Sequence, residues 1–282
     1  MPKPGSHPLC APDNEGASRG PTTLTQLPDL AAFSAALNDH RVMAAVAIAA
    51  ISGLVRGFSG FGSALIYMPL VSAVYGPRIA APTLLLIDTI AALPFALHAM
   101  PQCNWREVTP VSIAAALALP LGVIALVVID PLTPRWFIAV LVLVALATLV
   151  SGWRYHGKPT LAASFGGGAL AGFGGGAVQI GAPPLLVFWL GSAKNAAVTV
   201  RANIMVYFIM QGALSCIMYF FNGLFTAQAI ALTVLLGLPF AAAMAAGVYW
   251  FHGASDAHYR RVAYVIIGLA ALVSMPIFDS LR

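Results

Sequence analysis

Apolar residues run almost unbroken through six stretches of the chain, at about 79–98, 108–130, 134–152, 198–220, 226–248 and 262–279. A helix needs ~20 mainly apolar residues to cross a bilayer, so each stretch predicts one crossing. Two further apolar regions, about 42–76 and 160–191, are too long for one straight helix. Each is interrupted by a Gly-rich motif, Gly57-Phe58-Ser59-Gly60-Phe61-Gly62 in the first and Gly172-Phe173-Gly174-Gly175-Gly176-Ala177 in the second. Their halves, at ~15 residues, are a little short for full spans. The pattern predicts an all-α polytopic membrane protein. Residues 1–41 are polar and rich in Pro and Gly, and read as a disordered tail or, through Leu27, Leu30, Phe33 and Leu37, as a short helix on the membrane surface. No apolar run of secretory type precedes residue 42, so a cleaved leader is not expected.

The two motifs begin 115 positions apart, and the same offset places Pro69 on Pro184, Gly76 on Gly191, Asp88 on Asn203 and Gly122 on Gly237. The chain therefore reads as an internal duplication, with repeat 1 at 42–152, a linker at 153–159 and repeat 2 at 160–282. Each repeat holds a Gly-broken helical hairpin, or a broken helix, plus three transmembrane helices. A hairpin in each repeat would invert the halves, whereas a single broken crossing would leave them parallel. Segment length favours inversion, since 32 to 35 residues exceed one span. Charge does not arbitrate. In the inverted arrangement Arg41, Arg78, Arg135 and Arg282 fall on one side with Lys3 and Arg19, and Arg106, Arg154, Lys158, Lys194, Arg260 and Arg261 on the other.

Composition agrees with burial in lipid: 60% of residues are hydrophobic and 8% charged. The net charge of +5 is scattered over short loops with no basic run interleaved with aromatics, which argues against nucleic acid as a partner. Cys10, Cys103 and Cys216 lack pairing or metal spacing, so neither a metal nor another cofactor is expected.

Irregular backbone at membrane depth leaves unpaired amides and carbonyls, and it survives only inside protein or beside a watery cavity. The residues after each motif, from about Ser63 and Val178, read as starts of second half-helices, whose free N–H groups suit an anion. Repeated twice, this predicts a symmetric site for a small anionic substrate, lined by Gly57, Phe58, Ser59, Gly60, Gly62, Ser63, Gly172, Phe173, Gly174, Gly175, Gly176 and Gln179. Glycines also permit close helix packing, which is the plainer account of any one of them. Of the polar residues inside apolar runs, Arg201 and Asn203 are candidates to bind the anion. Asp88 either pairs with a cation such as Arg56 or takes up a proton during transport. Gln211 is a candidate for neutral hydrogen bonds or for packing.

The Gly-Phe-x-Gly-x-Gly motif with Pro69-Leu70 after it, and its repetition as Gly172-Phe173-Gly174-Gly175-Gly176 with Pro184-Leu185, resemble the sulfite exporter TauE/SafE family over residues 42–279. The resemblance implies a carrier of the bacterial inner membrane with eight segments in two four-segment repeats, moving sulfite, sulfoacetate or other organosulfonates. It carries over Gly57, Phe58, Gly60, Gly62, Pro69, Gly172, Phe173, Gly174, Gly175, Gly176 and Pro184 as motif residues. Ser59, Phe61 and the acidic Asp88 depart from the plainer second copy.

Two other function classes compete with a secondary carrier. Gly57-Phe58-Ser59-Gly60 reads as G-x-S-G, so an intramembrane serine hydrolase built on Ser59 is conceivable. Sequence names no histidine base for it beyond His98, and the second copy has Gly174 in the serine's place. An accessory membrane subunit is the third reading, and no soluble loop offers it a large docking surface. Oligomeric state is not legible.

Overall fold

The computed structural model describes residues 30–59, 62–130, 132–151, 160–181, 183–185, 189, 197–250, 265 and 267–272, and among them there is no strand. The longer helices among the described residues are α1 (Leu30–Asn38), α2 (Val42–Ser59), α3 (Ser63–Tyr75), α4 (Pro77–Ala99), α5 (Trp105–Val128), α6 (Leu132–Ser151), α7 (Leu161–Val178), α8 (Ala197–Phe221) and α9 (Ala227–Trp250), with a 3-10 turn at Met100–Gln102. Helices α4, α5, α7, α8 and α9 are long and apolar enough to cross a bilayer. Of the six expected crossings, those at about 79–98, 108–130, 198–220 and 226–248 are α4, α5, α8 and α9; the one at about 134–152 is α6, an apolar helix outside those five, and the one at about 262–279 lies largely outside the described residues, of which 267–272 are helical.

Helix α5 shows why these segments are apolar all round. Val111, Ala115, Leu119, Gly122 and Leu126 are buried against protein. On the opposite face Leu117, Leu121, Ile124 and Val128 are more than half exposed, a stripe that only lipid would cover without cost. Its ends are held by side chains from other helices. Arg78, at the start of α4, donates from Nε to the Leu126 carbonyl at 3.2 Å and from Nη2 to those of Val127 and Ile129, meeting orphan carbonyls with a positive charge. At the other end Asn203 Oδ1 accepts from the Asn104 N–H at 2.8 Å.

These contacts set the directions of the helices. The start of α4 lies at the end of α5, so those two are antiparallel, whereas Asn203 near the start of α8 meets the start of α5. Gly168, Gly172 and Gly176 of α7 lie in that order against Val111, Ala115 and Leu119 of α5, so these helices run parallel. Gly53 and Gly57 of α2 lie likewise against Phe240 and Met244 of α9. In all five places a Cβ would overlap a backbone oxygen of the partner helix, and only glycine permits the approach.

Both Gly-containing regions reverse direction. In the first, Asp39 ahead of α2 and Tyr75 at the end of α3 lie side by side, and the Arg41 N–H bond to Asp39 Oδ1 at 2.9 Å holds that carboxyl below its usual value. The chain thus leaves where it came in. In the second, Gly181 lies against the backbone of Ala171, and Pro183 and Pro184 share a groove with Gly167 and Leu170, so the chain runs back along α7. Because α2 starts at the end of the bundle where α4 starts, and α7 starts where α5 starts, the two hairpins enter from opposite ends.

The second reversal corrects the sequence expectation of a half-helix starting at about Val178. Helix α7 passes unbroken through Gly172–Ala177 and ends at Val178. The turn comes at Gln179 (φ 57°), where the N–H groups of Gln179 and Ile180 close on the carbonyls of Gly175 and Gly174, both at 3.1 Å. The reason is packing: glycines four apart on one face are matched by α5, which replaces the missing side-chain contacts and keeps the helix intact. In the first region the break falls at the motif itself, since α2 ends at Ser59 and Gly62 caps α3 with φ 99°, a backbone conformation open to glycine. Helix α1 includes part of the expected tail and packs against α9.

Candidate functional site

The two reversals meet at one cavity of about 40 Å³, room for roughly two or three water-sized groups. The first hairpin contributes Arg56, Gly62, Ser63, Ala64 and Leu65, and the second Gln179 and Ile180. Helices α4 and α8 close it with Asp88, Thr89, Phe208, Gln211 and Gly212. Asp88 is the twelfth of the 23 residues of α4, so the cavity lies about 16 Å from either end of that helix.

Arg56 is 5% exposed and donates from Nε to Asp88 Oδ1 at 2.8 Å. Its guanidinium lies over the Phe208 ring, 5.3 Å from the centroid, a cation–π contact that strengthens where water is excluded. The Ser63 hydroxyl donates to the same carboxylate oxygen at 3.4 Å. The structure thus pairs Asp88 with Arg56, one of the two roles the sequence left open for it. Ser63 also begins α3, whose first N–H groups have no side-chain cap and border the cavity.

On the opposite wall Gln179 Nε2 donates to the Tyr219 hydroxyl at 3.1 Å, and that hydroxyl donates to the Gly176 carbonyl at 2.8 Å. This bond accompanies the left-handed backbone of Gln179, the one non-glycine residue among those described with positive φ. Gln211 is 7% exposed, and its Oε1 has no hydrogen-bond partner among the described residues. A buried amide of this kind is costly unless something in the cavity completes it. Gly175 faces that amide directly.

Several residues expected at the site lie elsewhere. Gly57, Gly172 and Gly176 are spent on packing against α9 and α5, and Gly174 faces the Ile180 carbonyl at the turn. Phe173 pairs edge-on with Phe137, at 5.9 Å, in an apolar groove. Gly57 and Arg201 line a second, smaller cavity of about 20 Å³ with Phe95 and Met244, and Arg56 borders both cavities. The side chains of Phe58 and Ser59, and all of Gly60 and Phe61, lie outside what is described.

Asn203 is fully buried but away from the cavity, with Nδ2 donating to Glu107 Oε2 at 3.4 Å in addition to its bond with Asn104. The alignment of Asp88 with Asn203 therefore does not translate into a shared place. Removing the amide in Asn203→Ala is expected to lower stability by about 1–2 kcal/mol, as an orphaned helix start does, with anion affinity unchanged. Thermal unfolding and ligand titration of the variant check both. The sequence reading missed Thr89, Phe208 and Tyr219, which sit in apolar runs with no spacing that marks them.

No curated protein and no solved structure matches the chain. The sequence model of the sulfite exporter TauE/SafE family, in contrast, matches residues 45–274, from early α2 to beyond the last described helical residue. A match over most of the chain, on helices long and apolar enough to span a bilayer, means that this protein belongs to the sulfite exporter TauE/SafE family of membrane transporters and is not an enzyme.

Proposed function

We propose that the protein is a secondary carrier of the bacterial inner membrane that moves a small anion, sulfite or an organosulfonate, through the cavity between the two hairpins. The observation that carries this reading is the meeting of two reversals, entering from opposite ends, around one polar cavity at the middle of α4. Arg56 supplies positive charge, the start of α3 supplies N–H donors, and the Gln211 amide supplies neutral hydrogen bonds. Arg201, beside the smaller cavity that Arg56 also borders, steers anions inward.

The halves 42–152 and 160–282 act on this reading as inverted repeats joined by the linker 153–159. The shared motif and the matching glycine contacts, Gly53 and Gly57 on α9 and Gly168 and Gly172 on α5, support the duplication. Inverted repeats provide alternating access when each half adopts in turn the packing of the other.

Purified protein in liposomes is expected to give saturable flux, without ATP, of at least one anion among sulfite, sulfoacetate and methanesulfonate, and Arg56→Gln is expected to abolish it. Absence of flux for the whole panel overturns the reading.

A further inference from the structure

The cation lining the cavity, Arg56, is already paired with a carboxylate, Asp88. Among the described residues Arg56 and Asp88 are the only charged groups lining it, so it is neutral as it stands. Of the elements packed against α4, α2 presents Arg56 to Asp88, α3 presents the Ser63 hydroxyl, and α8 presents Phe208 and Gln211. The second hairpin presents Gln179 with the Tyr219 phenol behind it; among the described residues α9 presents Met244 and Val248, to the smaller cavity that Arg201 also lines, and α5 contributes no residue to either cavity. An arriving anion therefore competes with Asp88 for one guanidinium.

We propose that Asp88 is a proton-binding site and that the protein binds one proton with each anion, the Arg56–Asp88 pair acting as the element that exchanges them. This rests on the anion-carrier reading of the same cavity. Arg56 and Ser63 both donate to Oδ1, so the proton goes to Oδ2, which takes part in neither bond. The new O–H bond neutralises Asp88, its ion pair with Arg56 breaks, and the guanidinium passes to the anion. The cavity is neutral before and after. Without the proton two negative groups would share one cation, an arrangement that like-charge repulsion disfavours. Ser63 and Gln211 remain as neutral hydrogen-bonding groups, so no other described residue in the cavity can take the proton's place. The linkage is reciprocal: anion binding raises proton affinity, and lower pH raises anion affinity.

The test counts protons on the whole protein in detergent. Methanesulfonate is used because it stays a monoanion across neutral pH and so contributes no protons itself, with sulfite as a second probe corrected for its own titration. Binding is followed by calorimetry in buffers of different ionisation enthalpy between about pH 6 and about pH 8. The expected result is net proton uptake with anion binding that grows from about pH 8 to about pH 6, with affinity rising severalfold over that range. In Asp88→Asn, purified with the anion present, uptake is expected to vanish and affinity to become independent of pH. Anion binding without proton uptake in the wild type, or with uptake intact in Asp88→Asn, overturns the proposal and leaves the carrier reading standing. If neither probe binds at any pH, this proposal falls, and the liposome flux panel decides the carrier reading separately. Proton counting on the wild type needs no variant, so a poorly folding Asp88→Asn does not block the test.

Discussion

Gly172→Ala is expected to lose folded protein, whereas Gly175→Ala keeps the fold and loses transport, although the two stand three residues apart in one motif. At Gly172 a Cβ meets the backbone oxygen of Ala115, which cannot move without parting α5 from α7. Such overpacking costs about 1–3 kcal/mol or more, beyond the ~1 kcal/mol that alanine gains over glycine in a helix. At Gly175 the nearest atoms to the Cβ belong to the side-chain amide of Gln211, and displacing it removes a group that lines the cavity. The helix gains about what the glutamine loses, so stability stays within roughly 1 kcal/mol while transport falls on the order of tenfold or more. Gly166→Ala is the control. A Cβ there meets nothing within 4 Å, so the variant should be as stable as the parent or slightly more, with full transport. Thermal unfolding and liposome flux on the three variants decide the matter. Equal loss of fold at 172 and 175 would mean that the whole motif is packing.

The second large effect is expected at the buried ion pair. Arg56→Gln alone leaves Asp88 beside the cavity without its cation, and Asp88→Asn alone leaves Arg56, 5% exposed, without its carboxylate. Breaking one side of a buried pair costs about 3–5 kcal/mol, because the surviving charge stays desolvated. Arg56→Gln with Asp88→Asn removes both charges and should recover more than half of that loss, with no recovery of transport. Unfolding of the two single variants and the double variant in detergent measures the coupling. A double variant that still carries anions would move the binding site away from Arg56.

Much of this architecture is legible in one dimension. The runs at 79–98, 108–130, 198–220 and 226–248 fall within α4, α5, α8 and α9 to within a few residues, because lipid demands an apolar side chain at nearly every position and that demand is local. The family was legible too, through the Gly-Phe-x-Gly-x-Gly motif and its second copy. The turn in the second copy was not. Its glycines look like a break, but a glycine helix survives when another backbone fills the missing side-chain space, and α5, which does so, lies about 55 residues earlier in the chain.

The cavity divides in the same way. Arg56, Ser63, Asp88 and Gln179 attracted notice as polar residues in apolar or Gly-rich surroundings, where ionisable groups are costly. That Asp88 faces Arg56 while its sequence counterpart Asn203 caps α5 is a matter of which helices touch, and position along a repeat does not specify it. Phe208 and Tyr219 are ordinary residues in their own helices and acquire roles only through the Arg56 guanidinium and the Gln179 amide set against them.

Hydropathy and motif thus determined, from the sequence alone, an all-α membrane protein of this family with irregular backbone in two places. Tertiary packing decided which glycines hold helices together, where the second reversal falls, and which polar side chains share a cavity. The physical reason is range. Transfer into lipid is judged residue by residue, whereas close packing and charge pairing depend on atoms brought within a few ångströms from positions 32 to more than 180 residues apart.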